Sequence, residues 1–339
     1  MDYQELNKKT KQDSYPMPDT NKCLKGLGKA QFQSKMDFCS GFWQIPLTPE
    51  ASKYELMVMP FGLTNVPATF QQVMDEMMGS SKGEWSWVHM DDLLVYSTTF
   101  DEHLEHLEEM FRWIHEQELY VKLTKCKFAR AKMEYLGHII GNDGIQMDPK
   151  KIKSMCEARP LKNRKELWSF LGLALYYQRF IHSFSHIASP LSKLTSEQVK
   201  WKWTMEEQTT FEALKEALVS APVLRYPNIE QLFWLCCDAS LYVIGACLEQ
   251  MTDGQNWHVV AYGSKALNKT QLNWLATEQE GYAIVFFLNK WRHLLLGAEL
   301  EVLSDHHALQ WLFNQKEPIS KIVRWIMKVQ EFFLLWIMH

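Results

Sequence analysis

Two adjacent acids, Asp91 and Asp92, interrupt an apolar run, Trp87-Val88-His89-Met90-Asp91-Asp92-Leu93-Leu94-Val95-Tyr96. Side chains alternate between faces along a strand, so an apolar stretch on each side of the pair reads as a tight hairpin with carboxylates at its tip. Two like charges side by side raise each other's pKa unless a cation sits between them. Magnesium is the usual partner, because it takes hard oxygen ligands and keeps positions for phosphate. A solvated turn is the other reading, since turns favour Asp for its local hydrogen bonds. A third acid, Asp37, stands alone between apolar residues in Met36-Asp37-Phe38, again at strand-like spacing. An isolated carboxylate is costly to bury there. Brought beside the hairpin tip, it would complete a three-carboxylate cradle for two metal ions. Such a cradle suits in-line phosphoryl transfer: one ion lowers the pKa of an attacking hydroxyl, the other steadies the leaving oxygen.

The elements that must position these acids are legible in part. Apolar spacing predicts a helix over residues 70–78 and a second over 101–118, with Leu104, Leu107, Phe111 and Ile114 on its buried stripe. Asp148-Pro149 reads as an N-cap followed by proline at the first helical position, and Asn163 caps a helix expected over 164–182. Residues 232–235 and 300–303 read as strands and 282–288 as a buried helix, after a hinge over 195–203. His103 and His106 sit three apart, a spacing that suits zinc. No second pair lies at suitable spacing, and the stripe puts both near solvent. His306 is expected near Asp305, and His307 is read as structural.

The chain of 339 residues, 47% hydrophobic, is long enough for two or three domains with their own cores. Its net charge of -4 excludes a uniformly basic surface, so nucleic acid would be held by local patches. The candidates are Lys122, Lys125, Lys127, Arg130 and Lys132, then Lys150, Lys151 and Lys153, then Lys162, Arg164 and Lys165, as non-specific phosphate contacts or as solvated helix faces. Seven cysteines without a Cys-x-x-Cys pair point to a reducing compartment and no zinc ribbon. No signal peptide and no membrane-spanning run is expected, and the apolar stretch at 332–338 is too short to span.

Four segments in order carry a family resemblance: Met1-Asp2-Tyr3-Gln4-Glu5-Leu6-Asn7, the stretch from Ser34 to Ile45, Met59-Pro60-Phe61-Gly62-Leu63-Thr64-Asn65-Val66-Pro67-Ala68-Thr69-Phe70-Gln71, and Met90-Asp91-Asp92. Together they resemble the reverse transcriptase of gypsy-type long-terminal-repeat retrotransposons. Tyr135-Leu136-Gly137-His138-Ile139-Ile140 resembles that family's primer grip. Arg179-Phe180-Ile181 and Ala188-Ser189-Pro190-Leu191 resemble the segment that follows. Cys237-Asp238-Ala239-Ser240, Thr277-Glu278-Gln279-Glu280 and Ser304-Asp305-His306 resemble its ribonuclease H.

The resemblance implies an α+β fold. A reverse-transcriptase palm with partial fingers would occupy 1–140, a helical thumb and connection 141–203, and a C-terminally truncated α/β ribonuclease H-like domain 204–339. Asp37, Asp91 and Asp92 match the polymerase metal-site carboxylates. Phe42 falls at the aromatic steric gate, where a ring would exclude a ribose 2′-hydroxyl; ordinary core packing is its other reading. Phe61 and Gly62 match the turn beneath the incoming nucleotide, Gln71 belongs with these substrate-binding positions, and Leu136 and Gly137 match the primer-grip hairpin. Asp238, Glu280 and Asp305 match three ribonuclease H carboxylates. Two Mg2+ ions per active site are implied. The implied partners are an RNA template, a DNA primer, RNA–DNA hybrid and deoxynucleoside triphosphates, with no membrane. The implied setting is intracellular, in the cytoplasm or in virus-like particles, as part of a Pol polyprotein.

The chain departs from that pattern in four places. It opens at Asp2-Tyr3, short of the family's fingertip cations. Only Ala51-Ser52-Lys53 separates Glu50 from Tyr54, where the family has a further strand-turn-strand. His89 replaces a tyrosine two residues before the first hairpin aspartate. The chain stops at His339, before the last ribonuclease H acid. The expectation is therefore an RNA-directed DNA polymerase with linked ribonuclease H by type, and a fragment or decayed copy as a molecule. The alternative is a catalytically inactive nucleic-acid-binding remnant; a DNA-templated polymerase is more distant.

Overall fold

A computed structural model describes residues 2–13, 15–16, 26–47, 57–252, 256–304 and 320–336. Asp305, His306, His307 and the 51–53 segment lie outside them. The chain forms two compact units, Met1–Asn142 and Asp143–His339.

In the first unit the order is α1 (Gln4–Lys9), β1 (Phe32–Asp37), α2 (Val66–Met78), β2 (Ser86–His89), β3 (Asp92–Ser97), α3 (Phe100–Glu116), β4 (Lys127–Arg130), β5 (Lys132–Tyr135) and β6 (His138–Gly141). The main sheet has the order β2-β3-β1-β4. Leu93 to Ser97 on the inner strand β3 are all buried. Met36, Val88, Leu93 and Val95 from the strands pack with Phe70 and Met74 of α2 and Leu107 and Met110 of α3. Helix α2 begins before residue 70, with Pro67 in its first turn, where the missing N–H loses no hydrogen bond.

Helix α3 opens on a capping box: the Thr99 hydroxyl accepts from the Glu102 N–H, and the Glu102 carboxylate accepts from the Thr99 N–H. Its buried face is His103, Leu107, Met110 and Ile114, while Leu104 and Phe111 are exposed. The expected stripe holds at Leu107 and Ile114 and fails at Leu104 and Phe111, and the expected solvent position is overturned for His103, which is fully buried, while His106 is partly buried. The cause lies on other strands. The His103 ring meets Ser34 Oγ of β1 at 2.7 Å and Ser97 Oγ of β3 at 2.9 Å. His106 meets the same Ser97 Oγ at 2.8 Å and stacks on Trp85, with ring centroids 4.4 Å apart.

The second unit runs β7 (Gly144–Met147), α4 (Pro149–Cys156), α5 (Arg164–Tyr176), α6 (Phe184–Ile187), α7 (Ser189–Leu194), α8 (Met205–Val219), β8 (Phe233–Ala239), β9 (Val243–Thr252), β10 (Asn256–Ala266), α9 (Ala276–Lys290), α10 (Arg292–Leu295), β11 (Glu299–Ser304), α11 (Ser320–Val329) and β12 (Phe333–Trp336). The side chains of Asp148 and Asn163 cap α4 and α5, accepting from the N–H groups of Lys150 and Glu166. Helix α5 ends at Tyr176, short of 182, because the chain turns to bury Tyr177 and Phe180. The five-stranded sheet has the order β10-β9-β8-β11-β12. Strands β8, β9 and β10 pair antiparallel, whereas β11 is parallel to both β8 and β12. Phe233, Leu235, Leu248, Leu300 and Val302 from the sheet pack with Ile284 and Phe287 of α9. Among the described residues no helix is long and apolar enough to cross a membrane.

Candidate active sites

The register of the first sheet brings the acids together. β1 and β3 pair antiparallel with Asp37 directly opposite Asp92. Residues so opposed project to one face, with Cβ atoms about 4.5–5.5 Å apart. β2 and β3 pair from His89 opposite Asp92, leaving Met90-Asp91 as a two-residue turn. Met90 has φ +52°, the sign that a type II′ turn needs at its first central position. Gln71, fully buried on α2, holds that turn: its Oε1 accepts from the Met90 N–H at 2.9 Å. The Phe38 N–H donates to the Asp91 carbonyl at 3.3 Å and continues the ladder past Asp37.

Two lysines complete the charge pattern. The Lys122 N–H donates to the Asp37 carbonyl at 2.8 Å, and the Cys39 N–H to the Tyr120 carbonyl at 2.9 Å. This extra strand contact carries Lys125 to the site, where its ammonium meets the two Asp37 carboxylate oxygens at 3.0 and 3.2 Å. Lys35, two residues before Asp37 on the same face of β1, meets Asp92 Oδ2 at 2.8 Å. Asp91 has no such partner, and its Oδ1 is buried without a hydrogen bond. Burial above all, then the charges of Asp37 and Asp92, hold the Asp91 carboxyl above the usual carboxylate range, against a smaller opposing pull from Lys125. The same crowd of acids, Asp37 first, pushes the Lys125 ammonium up.

Gly41 closes one side of the site. A Cβ there would lie 2.7 Å from Asp91 Oδ1 and 2.9 Å from Phe70 Cζ, so no larger residue fits without displacing one of them. Phe42 follows, half-buried, with its ring 5.2 Å from that of Phe61 and 5.4 Å from that of Phe70. Phe61 is 49% exposed and Trp43, edge-on to it at 5.6 Å, is 55% exposed, so packing below Phe42 gives way to an open aromatic rim. Gly62 is exposed beside that rim at φ +98°, its carbonyl accepting from Asn7 Nδ2 at 2.8 Å. Leu136 and Gly137 form the two-residue turn between β5 and β6 with φ +46° and +71°, the signs of a type I′ turn. The hydroxyl of Tyr135, just before that turn, donates to the Asp92 carbonyl at 3.4 Å. Gln71, expected with the substrate-binding residues, is placed beneath the turn rather than at the open rim.

In the second unit Asp238 stands exposed near the end of β8, inside the strand rather than after it. Glu280, buried on α9, accepts from the Ala239 N–H at 3.2 Å through Oε1, which places its carboxylate beside Asp238. Strand β11 ends at Ser304 opposite Cys237, and Asp305 lies outside the described residues.

The first site's donors are all carboxylate oxygens, the set a hard divalent cation takes. The unpartnered buried oxygen of Asp91 and the crowding of three acids are what such an ion would relieve. Among the described residues no three acid, histidine or cysteine groups converge as they stand to hold an ion; Lys125 and Lys35 sit on Asp37 and Asp92 instead. Sequence reasoning missed Lys35 and Gly41. The alternation of β1 puts Lys35 on the face of Asp37, which was a usable signal. The closeness of Gly41 to Asp91 is long-range and left none.

Comparisons with known proteins agree with this layout. Residues 49–140 match the family described as reverse transcriptase (RNA-dependent DNA polymerase), and residues 228–332 match the RNase H-like domain found in reverse transcriptase. The chain is 36% identical to the retrovirus-related Pol polyprotein from transposon 297 of Drosophila melanogaster, over 98% of its own length and 32% of the relative's. It is 35% identical to that from transposon opus of the same species, over 98% of the chain and 35% of the relative. A transposon Tf2-3 polyprotein of Schizosaccharomyces pombe is 31% identical, over 98% of the chain and 26% of the relative. The chain thus spans about a third of the length of the curated relatives it matches. In fold it is similar to the foamy viral protease-reverse transcriptase. The structure in complex with dsDNA gives TM-score 0.85 at 24% identity, covering 100% of this chain and 74% of that one; the complex with RNA/DNA hybrid gives 0.81 at 24%, covering 100% and 48%.

Proposed function

We propose that this chain, which carries a reverse transcriptase domain followed by an RNase H-like domain like those of transposon Pol polyproteins, copies RNA into DNA at the Asp37–Asp91–Asp92 site and cleaves the RNA of an RNA–DNA hybrid at the Asp238–Glu280 site. The observation that carries the reading is the β1–β3 register, which sets Asp37 and Asp92 face to face with Asp91 at the adjoining turn. Asp37, Asp91 and Asp92 would hold Mg2+, which when bound supplies Lewis acidity at the phosphoryl group and lowers the pKa of the attacking hydroxyl. The chain's own residues orient the reactants. Phe42, backed by Phe70, presents a ring that excludes a ribose 2′-hydroxyl. Phe61 and Gly62 offer an exposed surface beneath the nucleotide, and the Leu136-Gly137 turn bears on the primer. Lys125 and Lys35 neutralise the acids until substrate and cation arrive. In the second unit Asp238 and Glu280, with Asp305 as a third acid, would hold Mg2+ for attack by water. The support there is the Glu280 contact to the residue beside Asp238.

The test is extension of a labelled DNA primer on an RNA template by the full chain with Mg2+. Extension that is lost in Asp91→Asn is expected; a folded chain that does not extend the primer contradicts the reading. The lysine-balanced acids favour one second reading, nucleic-acid binding without chemistry. It predicts hybrid binding that is salt-sensitive, unchanged in an Asp37→Ala/Asp91→Ala variant, and unaccompanied by extension.

A further inference from the structure

A polar chain, part-buried at Tyr15 and fully buried at Gln71, leads from Tyr15 to the turn that carries Asp91. Asp75 lies on α2 with its side chain 8% exposed. Its carboxylate accepts from Tyr15 Oη at 2.8 Å, from the Lys82 ammonium, and from Gln71 Nε2 at 2.8 Å. Gln71 lies one helical turn earlier, with Nε2 also 3.3 Å from the Val88 carbonyl and Oε1 accepting from the Met90 N–H at 2.9 Å. The Tyr15 hydroxyl is pushed up to about 12, chiefly by its bond to Asp75, so it remains a donor at neutral pH.

A glutamine amide has a donor end and an acceptor end, and an ionised carboxylate only accepts. Asp75 therefore draws Nε2 to itself and leaves Oε1 for Met90. Flipped, the amide would set its NH2 against the Met90 N–H, donor against donor. Met90 holds a left-handed conformation that is uncommon for a side chain of its size. The next residue is Asp91, whose carboxylate is hemmed between Gly41 and the other acids.

We infer that Asp75 is a positioning residue of the polymerase site: it fixes the polarity of Gln71, and through Gln71 the Met90–Asp91 turn, so that Asp91 faces the position a divalent cation would take. This rests on the proposed function of the first site.

The experiment uses the full chain carrying Asp75→Asn, Gln71→Glu, or both. The readouts are steady-state primer extension and, on an Asp238→Asn background that silences the second site, Mn2+ binding by electron paramagnetic resonance. Asp75→Asn removes the fixed acceptor, and Gln71→Glu sets one carboxylate against another. Each is expected to lower kcat and Mn2+ affinity about ten- to a hundred-fold, with KM for nucleotide and affinity for hybrid within about two-fold. The double variant restores the pattern. The amide introduced by Asp75→Asn donates to one oxygen of the carboxylate introduced by Gln71→Glu, and that carboxylate's other oxygen accepts from the Met90 N–H. Recovery above both single variants is expected. Unchanged kcat and Mn2+ affinity in Asp75→Asn, or a double variant no better than the worse single, overturns the inference. If Asp75→Asn alone does not fold, the comparison of Gln71→Glu with the double variant decides. If the parent chain extends no primer, the functional reading fails while the Mn2+ arm still decides the inference.

Discussion

At the scale of the residue, Asp91 carries the most information. It is an acid held by burial and by two neighbouring acids above the usual carboxylate range, with one buried oxygen unpartnered. A carboxyl whose folded pKa is raised contributes stability below its unfolded pKa and loses it as pH rises through the folded value. At neutral pH, without a cation, its charge therefore destabilises the fold. Asp91→Asn is expected to raise the thermal midpoint in chelator by a few degrees while lowering extension at least about a hundred-fold. With the second site silenced by Asp238→Asn in both chains, added Mg2+ should raise the midpoint of the parent and not of the Asp91→Asn variant. A lower midpoint in chelator would show that the charge is not strained. Asp37, Asp91 and Asp92 were legible in the sequence because an acid inside an apolar strand demands an explanation. Lys125 was legible as a cation, but its bond to Asp37 was not, because the 119–122 segment that brings it there carries no motif. Gly41 stood in a quoted motif without a role until its contact with Asp91 gave it one.

At the scale of the element, α3 shows where periodicity stops. The helix was legible, and Thr99 and Glu102 fix its start. Leu107 and Ile114 of the expected stripe are buried, but His103 and Met110 stand where Leu104 and Phe111 were expected; His103 counts as polar in any periodic pattern. Ser34 and Ser97, from two different strands, supply the partners that let it be buried. Burial, with a smaller contribution from His106, pushes His103 down to about 4. A histidine depressed in the fold is neutral there and protonated in the unfolded chain between the two values, so stability falls as pH drops from about 6.5 toward 4. The acid-side drop of the thermal midpoint should be shallower in His103→Gln than in the parent, although the variant starts lower. Parallel curves would remove His103 as the cause. The β5–β6 hairpin was legible only through the family resemblance; Gly137 takes its left-handed conformation freely, whereas the left-handed Leu136 had no local signal.

At the scale of the whole molecule, the chain holds two compact units, each with its own acid set, and its net charge of -4 leaves nucleic acid to local cations. The order of the two domains could be read from motifs alone, because the motifs are local and co-linear. The sheet order β10-β9-β8-β11-β12 could not, because which strands pair depends on contacts distant in sequence. The two chemistries should separate. Asp91→Asn is expected to abolish extension and leave hybrid cleavage within about two-fold, and Glu280→Gln to do the reverse; loss of both activities in either variant would show a shared requirement. Asp37 and the Asp91–Asp92 hairpin, far apart in sequence, are proposed to serve one cation. Mn2+ binding by electron paramagnetic resonance, in a chain whose second site is silenced by Asp238→Asn, tests this most directly. Bound Mn2+ lost in Asp37→Asn and in Asp91→Asn alike is the predicted result, and Asp37→Asn binding Mn2+ as the parent does would contradict it.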